Sequence, residues 1–150
     1  MNRILRATAA HLTDARHLLH EYFDAIDVVL RDDDDAIRAF LNDPSSAMWI
    51  AYVDDVPAAC VAMRPLPEVA GACECKRLYV NRNFRRRGLA EALMAALEQH
   101  AAAAGYQAVY LDTKDDLVGA ISLYDRLGYE RCARYNDNPQ ATIFMRRGLA

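Results

Sequence analysis

No apolar run in this chain approaches the roughly 20 residues needed to cross a bilayer, and no signal-like apolar segment opens it. A membrane protein is therefore not expected, and a cytoplasmic location is. Basic charge is not in excess either. Eighteen Lys and Arg against 21 Asp and Glu leave a net charge of −3, which argues against a nucleic-acid partner even though Arg82, Arg85, Arg86 and Arg87 cluster. Cysteine is sparse, with four residues: Cys60, Cys73, Cys75 and Cys132. Cys73 and Cys75 are two apart, which is not the C-x-x-C spacing of zinc or redox sites, and no histidine pair lies near them. Free buried thiols are expected and a metal is not. No Gly-Lys-Ser/Thr and no trio of spaced glycines is present, so the chain has neither a P-loop nor a dinucleotide fingerprint. Glycine and proline nowhere collect into a linker or a low-complexity tract.

What is present suits one globular domain spanning residues 1–150. Hydrophobic residues make up 53% and charged residues 26%, ordinary for a folded chain with a core. The clearest element is a helix beginning near Leu89. Leu89, Leu93, Ala96, Leu97, His100 and Ala104 recur at the helical period, while Glu91, Glu98 and Gln99 fall elsewhere. Gly105 stands where a left-handed cap residue belongs.

The approach to that helix carries chemistry. A strand through Leu78, Tyr79 and Val80 leads by Asn81-Arg82-Asn83-Phe84 into Arg85-Arg86-Arg87-Gly88-Leu89-Ala90. A helix N-terminus offers unpaired N–H groups and partial positive charge. Gly88 removes a side chain where a ligand could approach the backbone, and the arginines add charge. The combination suits a diphosphate.

Arg85-x-x-Gly88-x-Ala90 after this strand resembles the acyl-CoA-binding motif of the GNAT N-acetyltransferase superfamily. Ala120-Ile121-Ser122-Leu123-Tyr124-Asp125-Arg126-Leu127-Gly128-Tyr129 resembles the family's later Ala-x-x-Leu-Tyr-x-x-x-Gly-Phe/Tyr helix, in the same order and at a similar distance. A narrower likeness exists to members with a Glu-x-Lys-Arg-Leu-Tyr-Val strand, a Leu-Asp-Thr strand end and a late Tyr-x-x-Asn-Pro loop. Glu74 to Val80, Leu111-Asp112-Thr113 and Tyr135 to Pro139 match these. One departure is Leu117, where many members have an asparagine that helps hold the pantetheine.

The rest of the chain fits the same order. Asn2 to Ala7 reads as a strand, followed by a helix through Leu12, Ala15, Leu19, Tyr22, Phe23, Ile26, Val29 and Leu30, with Thr8 a candidate N-cap. His17 and His20 are three apart on it, but a third ligand is not in view. The acidic run from Asp32 to Asp35 leads into a second helix through Ile37, Phe40 and Leu41. Met48 to Val53 and Ala58 to Arg64 read as a hairpin turning on Asp54-Asp55-Val56-Pro57. Ala108 to Asp112 reads as a buried parallel strand, so strand, helix and strand form a right-handed crossover. A helix from Leu117 to Leu127, then strands at Glu130 to Ala133 and Thr142 to Arg147, complete the chain. The fold class expected is α/β of the mixed α+β kind, the GNAT fold. That means a mostly antiparallel sheet of six to seven strands, about four helices, and a cleft between the fourth and fifth strands.

The resemblance implies acetyl transfer from acetyl-CoA to a primary amine of a small molecule or peptide, in a ternary complex and without a metal. It implies cofactor contacts from Leu78, Tyr79, Val80, Arg85, Arg86, Arg87, Gly88, Leu89, Ala90 and Tyr124. Tyr124 would donate to the leaving thiolate. Glu74, on the strand of Leu78 and by even spacing on its face, would take the amine's proton, or else pair with Lys76 or Arg77. The acidic run would either cap a helix or draw a cationic acceptor. A monomer or homodimer is expected. The alternative to an enzyme is an acyl-CoA sensor that binds without turnover.

Overall fold

The computed structural model describes residues 1–28 and 31–149. Seven strands form one sheet: β1 (Asn2–Arg6), β2 (Ala47–Val53), β3 (Val56–Pro65), β4 (Ala72–Val80), β5 (Ala108–Thr113), β6 (Glu130–Arg131) and β7 (Ile143–Gly148). Their order is β1-β2-β3-β4-β5-β7-β6, antiparallel at every junction except β4 with β5. Helices α1 (Leu12–Ile26) and α2 (Asp34–Asn42) cover one face, and α3 (Leu89–Ala103) and α4 (Val118–Arg126) the other. This is the expected fold, and its two covered faces explain the apolar strands. In β2, Met48, Ile50 and Tyr52 pack toward α1 and α2, while Trp49, Ala51 and Val53 pack toward α3.

Helix α3 buries Leu89, Leu93, Met94, Leu97 and Ala101. Met94 and Ala101 thus take places on the apolar stripe that the period alone gave to His100 and Ala104. His100 instead stands edge-on to the Trp49 ring at 5.4 Å, and Ala104 is exposed. Each large apolar side chain buried this way contributes about 1.5–3 kcal/mol. Gly105, at φ +93°, closes the helix as expected.

Other boundaries shift by local chemistry. Thr8 caps a short 3-10 turn (Ala9–His11), accepting from the Ala10 N–H, and α1 begins only after it. Val29 and Leu30, expected on α1, lie outside the described residues. The hairpin turn is the pair Asp54-Asp55, at φ +49° and +67°, so Val56 and Pro57 already belong to β3. Two left-handed residues give a turn whose twist matches the strands.

Two features of β4 make the site. Across β3 and β4, Cys60 faces Tyr79 and Ala62 faces Lys76, so β4 carries one extra residue there. Arg77, at φ +62°, is the bulge. It reverses the alternation, so Cys73, Cys75, Leu78 and Val80 pack toward α3 while Tyr79 packs toward α1. Glu74 and Leu78 therefore lie on opposite faces, and the even-spacing expectation fails at the bulge. The second feature is divergence. β4 pairs β5 only from Ala72 to Cys75, against Ala108 to Leu111. Beyond that point β4 stays with β3 and β5 stays with β7, and a cleft opens between them.

Candidate active site

On one side of the divergence lies a groove of about 550 Å³. Leu78, Tyr79 and Val80 from β4, Phe84, Arg85, Arg86 and Gly88 from the loop, and Leu89 and Ala90 from α3 all line it. Arg86 and Gly88 both adopt left-handed backbone, at φ +63° and +74°. Gly88 is the N-cap of α3, and a Cβ placed on it would meet no protein atom within 4 Å. Protein packing therefore does not require glycine here. The backbone angle does, and so would a ligand lying against it. Arg87 does not line the groove; its guanidinium stacks on the Phe84 ring at 5.4 Å. A mostly apolar groove ending at a glycine-capped helix start fits an acyl-CoA with its diphosphate at α3.

On the other side lies a cavity of about 390 Å³, reaching between β4, β5, α1 and the loop after β6. Tyr22, Ile26, Leu78, Leu117 and Ala120 line both spaces, so the two are continuous. Tyr124 lines the smaller cavity. Burial holds its hydroxyl well above the usual tyrosine range, so it stays protonated. Its ring meets Tyr129 edge-on at 5.8 Å, and the Tyr129 hydroxyl is tied to Glu98 of α3. Burial likewise pushes Tyr22 up to about 12. Leu117 precedes α4 and supplies no side-chain cap, which leaves an apolar wall where many family members have an amide.

Glu74 lines neither space and is 1% exposed. Oε1 accepts from Arg64 Nε at 2.9 Å. Oε2 accepts from the Tyr135 hydroxyl at 2.7 Å and from Asn136 at 3.1 Å, with Lys76 Nζ at 3.6 Å. Lys76 in turn holds both oxygens of Asp112, which also accepts from Asn136 and Asn138. Burial alone would raise the Asp112 carboxyl, but Lys76 and these hydrogen bonds outweigh it and hold the acid below its usual range. The loop after β6, irregular by sequence, is thus the piece that ties β4 to β5 where they stop pairing. The Tyr-x-x-Asn-Pro likeness pointed to it without giving it a task. Arg64 was not singled out by sequence; Asp112 was matched only within the Leu-Asp-Thr likeness, and Lys76 and Arg77 only within the Glu-x-Lys-Arg likeness and as partners of Glu74.

The acidic run proves to be engaged residue by residue. Asp32 pairs with Arg77 through two bonds of 2.8 and 2.9 Å. Asp33 caps α2 on the Ala36 N–H, Asp34 pairs with Arg16, and Asp35 with Arg38. Asp34 is still 43% exposed and Asp35 93% exposed, so this end of α2 keeps a negative surface. His17 pairs with Glu21 at 3.0 Å, and among the described residues no group of three His, Cys, Asp or Glu is placed to hold a metal. Cys60 and Cys73 are buried thiols pushed up by burial to about 12, and Cys75 is raised further by the same cause.

Comparison with known proteins agrees with this geometry. Residues 12–129 match the acetyltransferase (GNAT) family model. The chain is 30% identical over 142 residues to an uncharacterized N-acetyltransferase of Schizosaccharomyces pombe, covering 91% of this chain and 86% of that one. It is 33% identical over 95 residues to human N-acetylaspartate synthetase, covering 63% of this chain but only 31% of that protein. The chain likewise spans about half the length of the N-acetyltransferase 8 and 8B relatives it matches. Among solved structures, a GNAT acetyltransferase from Staphylococcus aureus Mu50 superposes with TM-score 0.87 at 13% identity over the full length of both chains. The PaiA N-acetyltransferase of Thermoplasma acidophilum, solved in complex with coenzyme A, gives 0.78 at 12% identity over 99% of both chains. These two likenesses speak to the fold. The family match and the yeast relative establish that this chain belongs to the GNAT acetyltransferase family.

Proposed function

We propose that the chain transfers an acetyl group from acetyl-CoA directly to a primary amine held beside it. The observation that carries this is the junction at Tyr22, Ile26, Leu78, Leu117 and Ala120, where a mostly apolar groove ending at the start of α3 opens into a second cavity lined by charged and apolar side chains alike. Acetyl-CoA supplies an activated acyl carbon: the amine's lone pair forms the C–N bond as the C–S bond breaks, and the thiol leaves. Gly88, Arg85, Arg86 and the first turn of α3 hold the diphosphate, with Leu78, Tyr79, Val80, Leu89 and Ala90 along the chain. Arg87 acts at a distance, through charge alone. Where β4 leaves β5, the backbone of Leu78 to Val80 offers N–H groups to the thioester oxygen. The protonated Tyr124 hydroxyl donates a hydrogen bond to the departing sulfur.

Glu74 serves this site as a positioning residue. Its oxygens are engaged by Arg64, Tyr135 and Asn136, and it holds those side chains and the β4–β5 junction in place. The amine gives up its proton to water in the cleft, because the carboxylates that line the cavity are already hydrogen-bonded. The raised thiols of Cys73 and Cys75 support a single direct transfer over an acyl-cysteine relay.

The test is calorimetric binding of acetyl-CoA together with thiol release in the presence of an amine panel. Tight binding plus amine-dependent thiol release is expected. Binding without release for any amine would make the chain an acyl-CoA sensor, and no binding would remove the cofactor assignment.

A further inference from the structure

The smaller cavity is lopsided in what it offers a ligand. Arg31, Arg64, Lys76, Arg77 and Lys114 line it, with Asp32 and Asp112 as its carboxylates. Both carboxylates are satisfied by protein. Asp32 accepts twice from Arg77, and Asp112 accepts from Lys76 on both oxygens and from Asn136 and Asn138 on Oδ2. Arg31 is engaged through all three of its nitrogens, by Val28, Asp24 and Phe23, Lys76 by Asp112 and Lys114 by the Ile26 carbonyl, whereas Arg64 and Arg77 keep donors in hand. Arg64 uses only Nε, on Glu74, and its two terminal amino groups hydrogen-bond no described residue. Its side chain is 46% exposed, so these donors are open to the cavity and to solvent. Arg77 uses Nε and one amino group on Asp32, leaving the other without a partner among the described residues. The counterions of Arg31 and Lys114, Asp24 and Asp116, are 72% and 67% exposed on the outside, where solvent weakens them.

A ligand entering this space therefore meets hydrogen-bond donors and positive charge. A second ammonium would find the carboxylates already paired, with only the neutral oxygens of Thr113, Asn136, Asn138 and Gln140 besides. A carboxylate would find what it pairs with best, the parallel N–H groups of a guanidinium. A volume near 390 Å³ lies toward the small end of small-molecule sites, which run roughly 300–1,000 Å³.

We infer that the acceptor is a small amine bearing a carboxylate, of the amino-acid class, with Arg64 gripping the carboxylate through its terminal amino groups and Arg77 offering its remaining amino group as a second donor to the cavity. This rests on the acetyl-transfer reading for which atom reacts, but the grip is a statement about binding and is tested separately. It replaces the cationic acceptor that the acidic run suggested, because that run is engaged by Arg77, Ala36, Arg16 and Arg38.

The experiment uses matched amines that differ in the anionic group: β-alanine and β-alaninamide, γ-aminobutyrate and its amide, alanine and alaninamide, with putrescine and 2-aminoethylphosphonate alongside. Each is measured for acetyl transfer and, calorimetrically, for binding to the protein loaded with CoA. The carboxylate member of each pair should be favoured roughly 10- to 100-fold, the worth of one charge-assisted hydrogen bond. Arg64→Gln should erase that preference, read as the ratio of acid to amide within each pair, and Arg64→Lys should restore part of it. Equal values within pairs, preference for putrescine or the phosphonate, or an Arg64→Gln loss shared by acid and amide would overturn the inference. Arg64-dependent binding of the carboxylates without transfer would uphold the pocket and sink the catalytic reading. Transfer to putrescine alone would do the reverse.

Discussion

Glu74→Gln keeps the shape of the side chain and removes its charge from a site only 1% exposed. The carboxylate accepts from Arg64, Tyr135 and Asn136 and stands 3.6 Å from Lys76. A glutamine oxygen can keep part of this set, but its amide N–H groups must then face the remaining donors. Tyr135 can rotate its hydroxyl to accept. Asn136 cannot, because its Nδ2 also donates to Asp112 at 2.7 Å. A lost charged hydrogen bond is worth about 1.5–3 kcal/mol, and a buried donor left unpaired costs about 1–3 more. The Arg64 share is discounted, since that half-exposed guanidinium can turn to water. A net loss of about 2–4 kcal/mol follows, or a fall in Tm of roughly 4–15 °C for a domain of this size. Glu74→Ala strips every partner and should reach about 3–5 kcal/mol. Urea melts read this as a lower midpoint at constant slope. Kinetics well below Tm give the second readout. If water takes the amine's proton, kcat/KM falls below the amine's own pKa with the same slope in wild type and Glu74→Gln. A variant that melts like wild type yet loses about 10²-fold or more, with its acid limb gone, would make Glu74 the base and refute the positioning role.

Gly88→Val should weaken acetyl-CoA binding far more than Arg86→Ala does, because φ +74° and an approaching ligand both exclude a branched side chain there; equal affinity of Gly88→Val and wild type by calorimetry removes the diphosphate from this loop. Tyr124→Phe should keep CoA affinity and lower kcat by no more than about 10²-fold, the low end for acid assistance, since so weak an acid helps by hydrogen bonding more than by proton transfer. Unchanged single-turnover rates would reduce Tyr124 to packing against Tyr129. The double variant Cys73→Ala/Cys75→Ala should retain most activity with intersecting initial-rate lines, whereas an acetylated cysteine in wild type by mass spectrometry would reinstate a relay.

Local signals carried the fold well. The apolar period of α3, its closing Gly105 and the loop before it needed no partner to be read, because each depends on residues within a few positions. Boundaries slipped where a nearby competitor won. Thr8 satisfied a 3-10 turn first, and Asp54-Asp55 made the hairpin in two residues, not four. The acceptor side was not legible, because its chemistry is made of distant pairs. Asp32 and Arg77 are 45 positions apart, Lys76 and Asp112 are 36 apart, and Glu74 and Tyr135 are 61 apart. Four consecutive aspartates look like free charge until the fold gives each one its partner.

Arg77 shows how one residue can undo a parity argument and organise a site together. Nothing in Lys76-Arg77-Leu78 marks a left-handed position, since no glycine or asparagine is there. A non-glycine residue at φ +62° costs of order 1–3 kcal/mol and persists only where its surroundings hold it. Here they do. The guanidinium is pinned by Asp32 at the entry to α2 and lies 5.5 Å from the Phe23 ring of α1 and 5.9 Å from the Phe40 ring of α2. Burial works against its charge, but the Asp32 contact prevails and holds its pKa above the usual value. By bulging, Arg77 turns Leu78 toward the α3 side, where it lines both spaces, and leaves Glu74 and Lys76 on the other face to anchor Arg64 and Asp112. An ordinary strand would have set Glu74 and Leu78 on one face. The bulge thus turns Leu78 and Val80 to the α3 side of the cleft, while Glu74 and Lys76 keep their places against Arg64 and Asp112 on the other.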